Sequence, residues 1–231
     1  MSISSRLVQG FRARVGRSLA PEFISNAKAY ELYQGYVFGI ILSAAWNEGA
    51  SVFTKDAFGT TNPPRLLFRR SPGEIYGTTG PYAHAVLEFP DKPLLEVHVG
   101  IMVRGISQVS HECDVCVLYK EEADRCRAAM RNPECSQLLI AAECKQYDSP
   151  LKLDLARSFI GLASELQVEG DCYFIASGFS GSVAKLLAAR RLKWEHNITP
   201  GSTNELKGAS HLCTKHNFSS GHESLNKHSV V

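Results

Sequence analysis

The chain has 231 residues, 44% of them hydrophobic, and a formal net charge of +2. This length is enough for one domain with a sizeable core, and the near-neutral charge requires any nucleic-acid surface to be local. The seven cysteines, an odd number, argue against a disulfide scaffold. No segment approaches the roughly 20 apolar residues of a membrane span. We therefore expect a soluble, cytoplasmic protein with no membrane partner.

Residues 1–24 form the first segment, which carries four arginines and a single acid, Glu22. We interpret this segment as a basic N-terminal arm in which Arg12 and Arg14 contact nucleic-acid phosphates. Its apolar residues recur at near-helical spacing, so an organellar transit peptide is the alternative interpretation.

Residues 25–49 have apolar side chains at helical spacing, with Ser25 placed to cap the start and Gly49 to end the helix. Arg69 and Arg70 are further candidate phosphate contacts. They close one of three β-rich runs that predict a hairpin insertion or a sheet extension, at residues 52–55, 66–70 and 83–89.

The remaining elements alternate between strand and helix patterns. Strand patterns occur at residues 94–103, 112–118, 138–145, 172–176 and 192–198. Helix patterns occur at residues 121–131, from 150 to about 166, and at 180–190. The core order is helix, three strands, helix and strand, which predicts an α/β fold with three layers around a mixed sheet.

Charged residues stand at the ends of two of these apolar runs. Asp114 lies in one strand pattern, and the next strand ends in Glu143-Cys144-Lys145. Because side chains alternate along a strand, Glu143 and Lys145 project to one face and Cys144 to the other. If the two strands are neighbours, the three charges converge, and their burial is costly without a purpose. Two carboxylates suit Mg²⁺, and a nearby ammonium can orient water or a phosphate oxygen.

This pattern resembles the PD-(D/E)xK, or restriction-endonuclease-like, nuclease superfamily, and is closest to its Mrr-type and Holliday-resolvase-type members. Asp114 matches the Asp of the motif, and Glu143 and Lys145 match Glu-x-Lys, whereas Cys113 replaces the Pro that precedes the Asp. The resemblance covers residues 27 to 198, approximately. It implies an αβββαβ nuclease domain over residues 25–199 and a Mg²⁺-dependent DNA endonuclease, in which Mn²⁺ could substitute.

The resemblance also implies roles for single residues. Asp114 and Glu143 would hold the metal, and Lys145 would position or activate the attacking water. Many members place a Glu on the first helix near the metals, which makes Glu31 a further candidate ligand. Tyr147 shares the face of Lys145 and is a candidate nucleic-acid contact. With no separate sequence-reading module visible, either a homodimer or a partner subunit would supply specificity, or cleavage would respond to the structure or modification of the DNA.

Four other interpretations stay open at this point. The chain could be a non-catalytic nucleic-acid-binding or assembly protein on a nuclease scaffold, or the charges could form a structural ion-pair network. Cys113 and Cys116 could form half of a zinc site, although positions three apart on a strand should face opposite sides, so we expect them to be core cysteines. Residues 200–231 are polar and predict a flexible tail, with a His-based metal site as the alternative.

Overall fold

The computed structural model describes residues 2–168 and 171–204. Its strands are β1 Ser18–Leu19, β2 Ser51–Asp56, β3 Arg65–Leu66, β4 Ala83–Glu88, β5 Leu95–Arg104, β6 Ser110–Tyr119, β7 Leu138–Lys145, β8 Asp171–Ala176 and β9 Lys193–Glu195. Its α-helices are α1 Ile3–Val15, α2 Pro21–Asn26, α3 Ala29–Asn47, α4 Lys120–Ala128, α5 Leu153–Leu166 and α6 Gly181–Ala189, and a short 3-10 turn covers Cys135–Gln137. The predicted tail falls mostly on residues 205–231, which lie outside the described part of the chain.

Seven strands form one mixed sheet in the order β2-β4-β5-β6-β7-β8-β9. Neighbours from β2 to β7 are antiparallel, whereas β7, β8 and β9 are parallel. Parallel neighbours need long crossover connections, and α5 and α6 provide them. The prediction of an α/β fold around a mixed sheet is confirmed. The predicted strand at residues 66–70 is wrong, because β3 is only two residues long and pairs with β1 in a separate small sheet.

Helices cover both faces of the large sheet, as alternation along β8 shows. Tyr173 and Ile175 belong to the core cluster formed with α1 and α3. Phe174 and Ala176 point to the other face, where they pack in a cluster with Phe159 of α5 and residues of α6. Within the described residues, no helix is long and apolar enough to cross a membrane.

Helix α3 begins at Ala29, four residues later than the predicted start. Ser25 lies in the separate helix α2, so its predicted capping role is wrong. The backbone N–H of Lys28 donates to Oε2 of Glu31 at 2.5 Å, which closes a capping box. Pattern alone missed this boundary because α2 and α3 are separated by only two residues.

The predicted N-terminal arm is a helix that packs against the domain. Leu7 and Phe11 of α1 are buried in the same core cluster as α3. Gly10 permits this approach, since a Cβ there would lie 2.8 Å from a ring carbon of Tyr36. The predicted boundary between residues 24 and 25 therefore does not coincide with a break in packing.

Five of the six described cysteines are buried and Cys172 is partly buried, all with free thiols. The expectation of core cysteines is confirmed for the described part of the chain, but the stated geometry is wrong, because Cys113 and Cys116 pack in one cluster on the same face. Gly100 of β5, at φ 63°, interrupts the alternation beside them. The pair Val99↔Val115 faces α3, and the next pair, Ile101↔Cys113, faces the opposite side.

Candidate functional site

Strands β6 and β7 separate at one end and form a fork. Their pairing runs from Leu118↔Leu138 to Val115↔Ala142. Beyond that point β6 stays paired with β5 as far as Ser110, and β7 stays paired with β8 as far as Lys145. The residues that follow the last shared pair, Asp114 on β6 and Glu143 on β7, therefore stand on the two sides of the opening.

Asp114 is held inside this fork by two hydrogen bonds. Its side chain is buried, with the residue 5% exposed. Nε2 of Gln34 on α3 donates to Oδ1 at 2.7 Å, and the backbone N–H of Cys144 donates to Oδ2 at 2.7 Å. Both oxygens are thus satisfied and held in one orientation by groups from neighbouring elements.

Glu143 and Lys145 form an ion pair on the β7 side of the fork. Nζ of Lys145 contacts Oε1 of Glu143, and the two side chains are 24% and 19% exposed. Burial alone would lower the pKa of Lys145, but the charges of Glu143 and Asp114 raise it above the ordinary value. Lys145 is therefore a protonated ammonium at neutral pH, partly open to solvent. The structure brings together all three residues of the sequence motif.

The charges in the fork oppose ionisation of Asp114. Burial and the nearby carboxylate of Glu143 raise its pKa to about 7, although Lys145 and the Cys144 N–H act in the other direction. Glu112 adds to the effect, and its own pKa is raised by burial and by Glu143. Three carboxylates thus face a single ammonium, so the fork carries an excess of negative charge that a bound cation would relieve.

Replacing Asp114 with asparagine is expected to favour the fold more at alkaline pH than at acidic pH. An unfolded Asp has a pKa of about 4, whereas the folded value is about 7. The folded protein therefore binds more protons between these values, and stability falls as the pH rises through that interval. Asparagine offers one acceptor to the two groups that donate to Asp114, which lowers stability at both pH values. Relative to wild type, we expect the free energy of unfolding of Asp114→Asn to be about 3 kcal/mol higher at pH 8 than at pH 4.5. Urea denaturation at both pH values measures this.

Glu88→Gln, at the exposed end of β4, is the matched control and should change the free energy of unfolding by less than about 0.5 kcal/mol at pH 8. An Asp114→Asn variant whose stability differs from that of wild type by the same amount at both pH values would contradict the prediction.

Sequence reasoning selected Glu31 on α3, but the side chain of α3 that hydrogen-bonds Asp114 is Gln34. Glu31 is also buried, and its Oε2 accepts the capping hydrogen bond of its own helix. Its assignment as a metal ligand stays a prediction. Gln34 could have been found from one signal, since it is the polar residue one helical turn after Glu31 in an otherwise apolar helix.

The two candidate arginines of α1 lie on the helix that packs against α3. Arg12 is exposed, and the guanidinium of Arg14 lies 5.7 Å from the ring centroid of Tyr36. Their role as phosphate contacts stays a prediction.

The other nucleic-acid candidates differ in exposure. Arg69 is buried, lies 4.6 Å from the ring centroid of Tyr82, and donates to the carbonyls of Glu74 and Gly77. This internal bonding does not support a phosphate contact by Arg69. Arg70 is exposed and donates to the carbonyl of Asn26 at 3.5 Å. Tyr147 is 41% exposed beside the end of β7.

A second polar cluster, missed by sequence reasoning, is centred on Glu96 of β5. Glu96 is 1% exposed, and Arg127 of α4 donates to both of its oxygens at 2.8 Å. Nε2 of His98 lies 2.8 Å from Oε2, and His84 stacks on His98 at 5.0 Å. Burial would raise the pKa of Glu96, but the His98 and Arg127 hydrogen bonds lower it well below its usual range. The cluster borders a cavity of about 350 Å³ and satisfies its own charges.

The carboxylate oxygens of the fork are ligands of the type that a hard cation such as Mg²⁺ prefers. Among residues 2–168 and 171–204, no group of three or more His, Cys, Asp or Glu side chains is arranged to hold a metal ion. Mg²⁺, however, is commonly held by one or two carboxylates, with waters and substrate phosphates as the other ligands. Because the N–H and C=O of a strand residue point to the same side, the Cys144 carbonyl also faces the fork.

The fold and site define a mixed α/β protein with a charged fork in a seven-stranded sheet. Comparison with protein-family models, with curated proteins and with solved structures gives no match for this chain.

Proposed function

We propose that the protein is a metal-dependent nuclease, a DNA endonuclease of the PD-(D/E)xK type. The observation that carries this proposal is the fork, where buried Asp114 is oriented beside the Glu143–Lys145 pair. An ion-pair network that served only stability would gain nothing from an excess of carboxylates. A centre that binds a cation and a phosphate needs that excess.

The order of elements supports the same proposal. Helix α3 precedes the antiparallel strands β5, β6 and β7, and α5 then leads to β8, which is parallel to β7. The order is αβββαβ when two insertions are set aside, β2, β3 and β4 after the first helix and α4 between β6 and β7. The charged residues lie where the second and third of these strands separate, so the core and the motif agree.

Each residue of the fork has a distinct role in the proposed reaction. Asp114 and Glu143 would hold Mg²⁺, or Mn²⁺ in its place, which when bound supplies Lewis-acid polarisation of the scissile phosphate. Gln34 and the Cys144 N–H keep the Asp114 carboxylate in one orientation. Because the pKa of Lys145 is raised, its ammonium donates hydrogen bonds to the attacking water and to a phosphate oxygen and does not accept a proton.

A cleavage assay tests the proposal. Supercoiled, linear and branched DNA, with a single-stranded RNA for comparison, would be incubated with the protein in Mg²⁺, in Mn²⁺ or in EDTA. We expect DNA cleavage in either metal and none in EDTA. Binding of DNA without cleavage under all conditions would instead identify a non-catalytic nucleic-acid-binding or assembly protein on a nuclease scaffold.

A divalent cation is also expected to stabilise the protein. At a free cation concentration of about 100 times the dissociation constant, binding should add roughly 2.7 kcal/mol, which raises the thermal midpoint by on the order of 5 °C. Because Asp114 must lose its proton to bind, the shift should be larger at pH 8 than at pH 6. Differential scanning fluorimetry with Mn²⁺ measures both effects. A shift of equal size in Asp114→Asn would place the cation elsewhere.

A further inference from the structure

Four aromatic side chains lie close to the end of the sheet that carries Lys145. They form the aromatic patch: Tyr147, Phe179, Trp194 and His196. The Phe179 ring centroid lies 5.9 Å from that of Trp194 and 5.0 Å from that of His196, and the Trp194 and His196 rings stack at 4.7 Å. Two members expose much of their surface, Phe179 at 49% and Tyr147 at 41%.

The register of the sheet places Trp194 on the same face as Glu143 and Lys145, with Phe174 between them buried beneath α5 and α6. Glu143 pairs with Phe174, which pairs with Trp194, so these three residues form one row across the parallel strands. Paired residues in such a row project to the same face. His196 follows Trp194 by two positions and shares its face, as Lys145 shares that of Glu143. Since strands are about 4.8 Å apart, the row from β7 to β9 spans roughly 10 Å.

Tyr147 follows Lys145 by two residues, just beyond the end of β7. Its backbone N–H donates to Oγ of Ser177 at 3.0 Å, and its carbonyl accepts from the same hydroxyl at 3.3 Å. These bonds fix the segment after β7 against the segment after β8, two residues before Phe179. Tyr147 and Phe179, the two most exposed rings of the patch, therefore lie on adjoining segments just beyond the ends of β7 and β8.

The size of the patch favours stacked bases over a docked protein. Four aromatic side chains of about 200 Å² each, exposed on average by less than half, offer roughly 300 Å². A stable protein interface needs about 800 Å² from each partner. A nucleobase needs only a ring face, and each base stacked on an aromatic side chain contributes about 1–3 kcal/mol.

We propose that the aromatic patch stacks unpaired bases of the strand whose phosphate lies at the fork, so that the substrate presents single-stranded nucleotides beside the cleavage position. This inference rests on the proposed nuclease function for the position of the phosphate. Stacking itself requires neither metal nor cleavage, and the two proposals can therefore fail separately.

The test measures binding in EDTA, where no cleavage occurs. Fluorescence anisotropy would compare a 12-nucleotide oligothymidine, an abasic strand of the same length and charge, and a blunt duplex. The variants are Phe179→Ala and Tyr147→Ala, and the control is Phe58→Ala, a 62% exposed aromatic in the turn after β2. We expect each patch variant to weaken oligothymidine binding by about tenfold, with abasic-strand and duplex binding unchanged, and Phe58→Ala to change neither.

Three results would overturn the inference. Equal losses on oligothymidine and abasic strand would mean a general electrostatic effect, and unchanged oligothymidine binding would remove the rings from the interface. A self-association lost on Phe179→Ala, with oligothymidine binding kept, would make the patch a protein-docking surface. If wild type cleaves DNA but the patch variants bind normally, only the stacking inference fails. If base-dependent binding is seen but no metal supports cleavage, only the nuclease proposal fails.

Discussion

Lys145→Ala is expected to lower the rate of metal-dependent DNA cleavage by about 10²–10⁴-fold. The ammonium lies beside Glu143 in the fork, partly exposed, where it can donate to the attacking water and to a phosphate oxygen. These contacts strengthen as charge develops in the transition state, so their loss should reduce kcat more than it raises KM. Single-turnover cleavage of labelled DNA at saturating protein measures the rate directly.

Two controls separate this catalytic effect from a folding effect. Lys152→Ala removes an exposed lysine just before α5 and should leave the rate within about twofold. DNA affinity in EDTA should change little in Lys145→Ala, because one cation among several phosphate contacts contributes modestly. A Lys145→Ala protein that cleaves at the wild-type rate would show that this residue takes no part in the reaction.

Glu96→Gln is expected to have the largest effect on stability. The carboxylate is fully buried and receives both guanidinium donors of Arg127 and the imidazole of His98. Removing one partner of a buried ion pair leaves the other without compensation, at a cost of about 3–5 kcal/mol. Arg127 is 30% exposed and keeps its contact with Asp124, so we expect the lower end, roughly 3 kcal/mol. Urea denaturation at pH 7 measures the change.

Glu134→Gln is the matched control, since its ion pair with Arg104 is about 30% exposed on both sides. Such surface pairs contribute less than about 1 kcal/mol. If Glu96→Gln were no more destabilising than Glu134→Gln, the cluster would have to be reassigned as a binding site whose charges are not needed for folding. Metal-dependent cleavage by Glu96→Gln provides a second measurement. Because Glu96 lies outside the fork, the folded variant should cleave at the wild-type rate.

Two ionisable groups, Asp114 and His84, give the wild-type stability opposite dependences on pH. The protonated form of Asp114 stabilises the fold, and this contribution to the free energy of unfolding is lost as the pH rises towards 7. Burial and the charge of His98 lower the pKa of His84 to about 3. His84 therefore stays neutral in the fold while an unfolded His gains a proton below about pH 6.5, so its contribution is lost as the pH falls. The pH profile of wild-type stability contains both contributions. The difference between this profile and that of Asp114→Asn gives the contribution of Asp114.

Sequence periodicity determined the order of the main elements and the candidate motif. Strands β6 and β7 and the alternation of Glu143 and Lys145 follow from local patterns, because side-chain direction in a strand depends only on neighbouring residues. The same locality explains one error. Ser25 is predicted to cap one continuous helix, whereas the chain turns after Asn26 and Glu31 caps a new helix.

Only the tertiary structure decided which side chains meet across the sheet. Gln34 reaches Asp114 over a separation of 80 residues, and Arg127 reaches Glu96 over 31. The left-handed backbone at Gly100 places Cys113 on the face of Cys116, against simple alternation. Helical spacing marks Gln34 as a polar position, but the partners of Gln34 and Arg127 depend on packing between elements distant in the chain. The acids and the lysine could therefore be found from the sequence, whereas the fork that orients them required the fold.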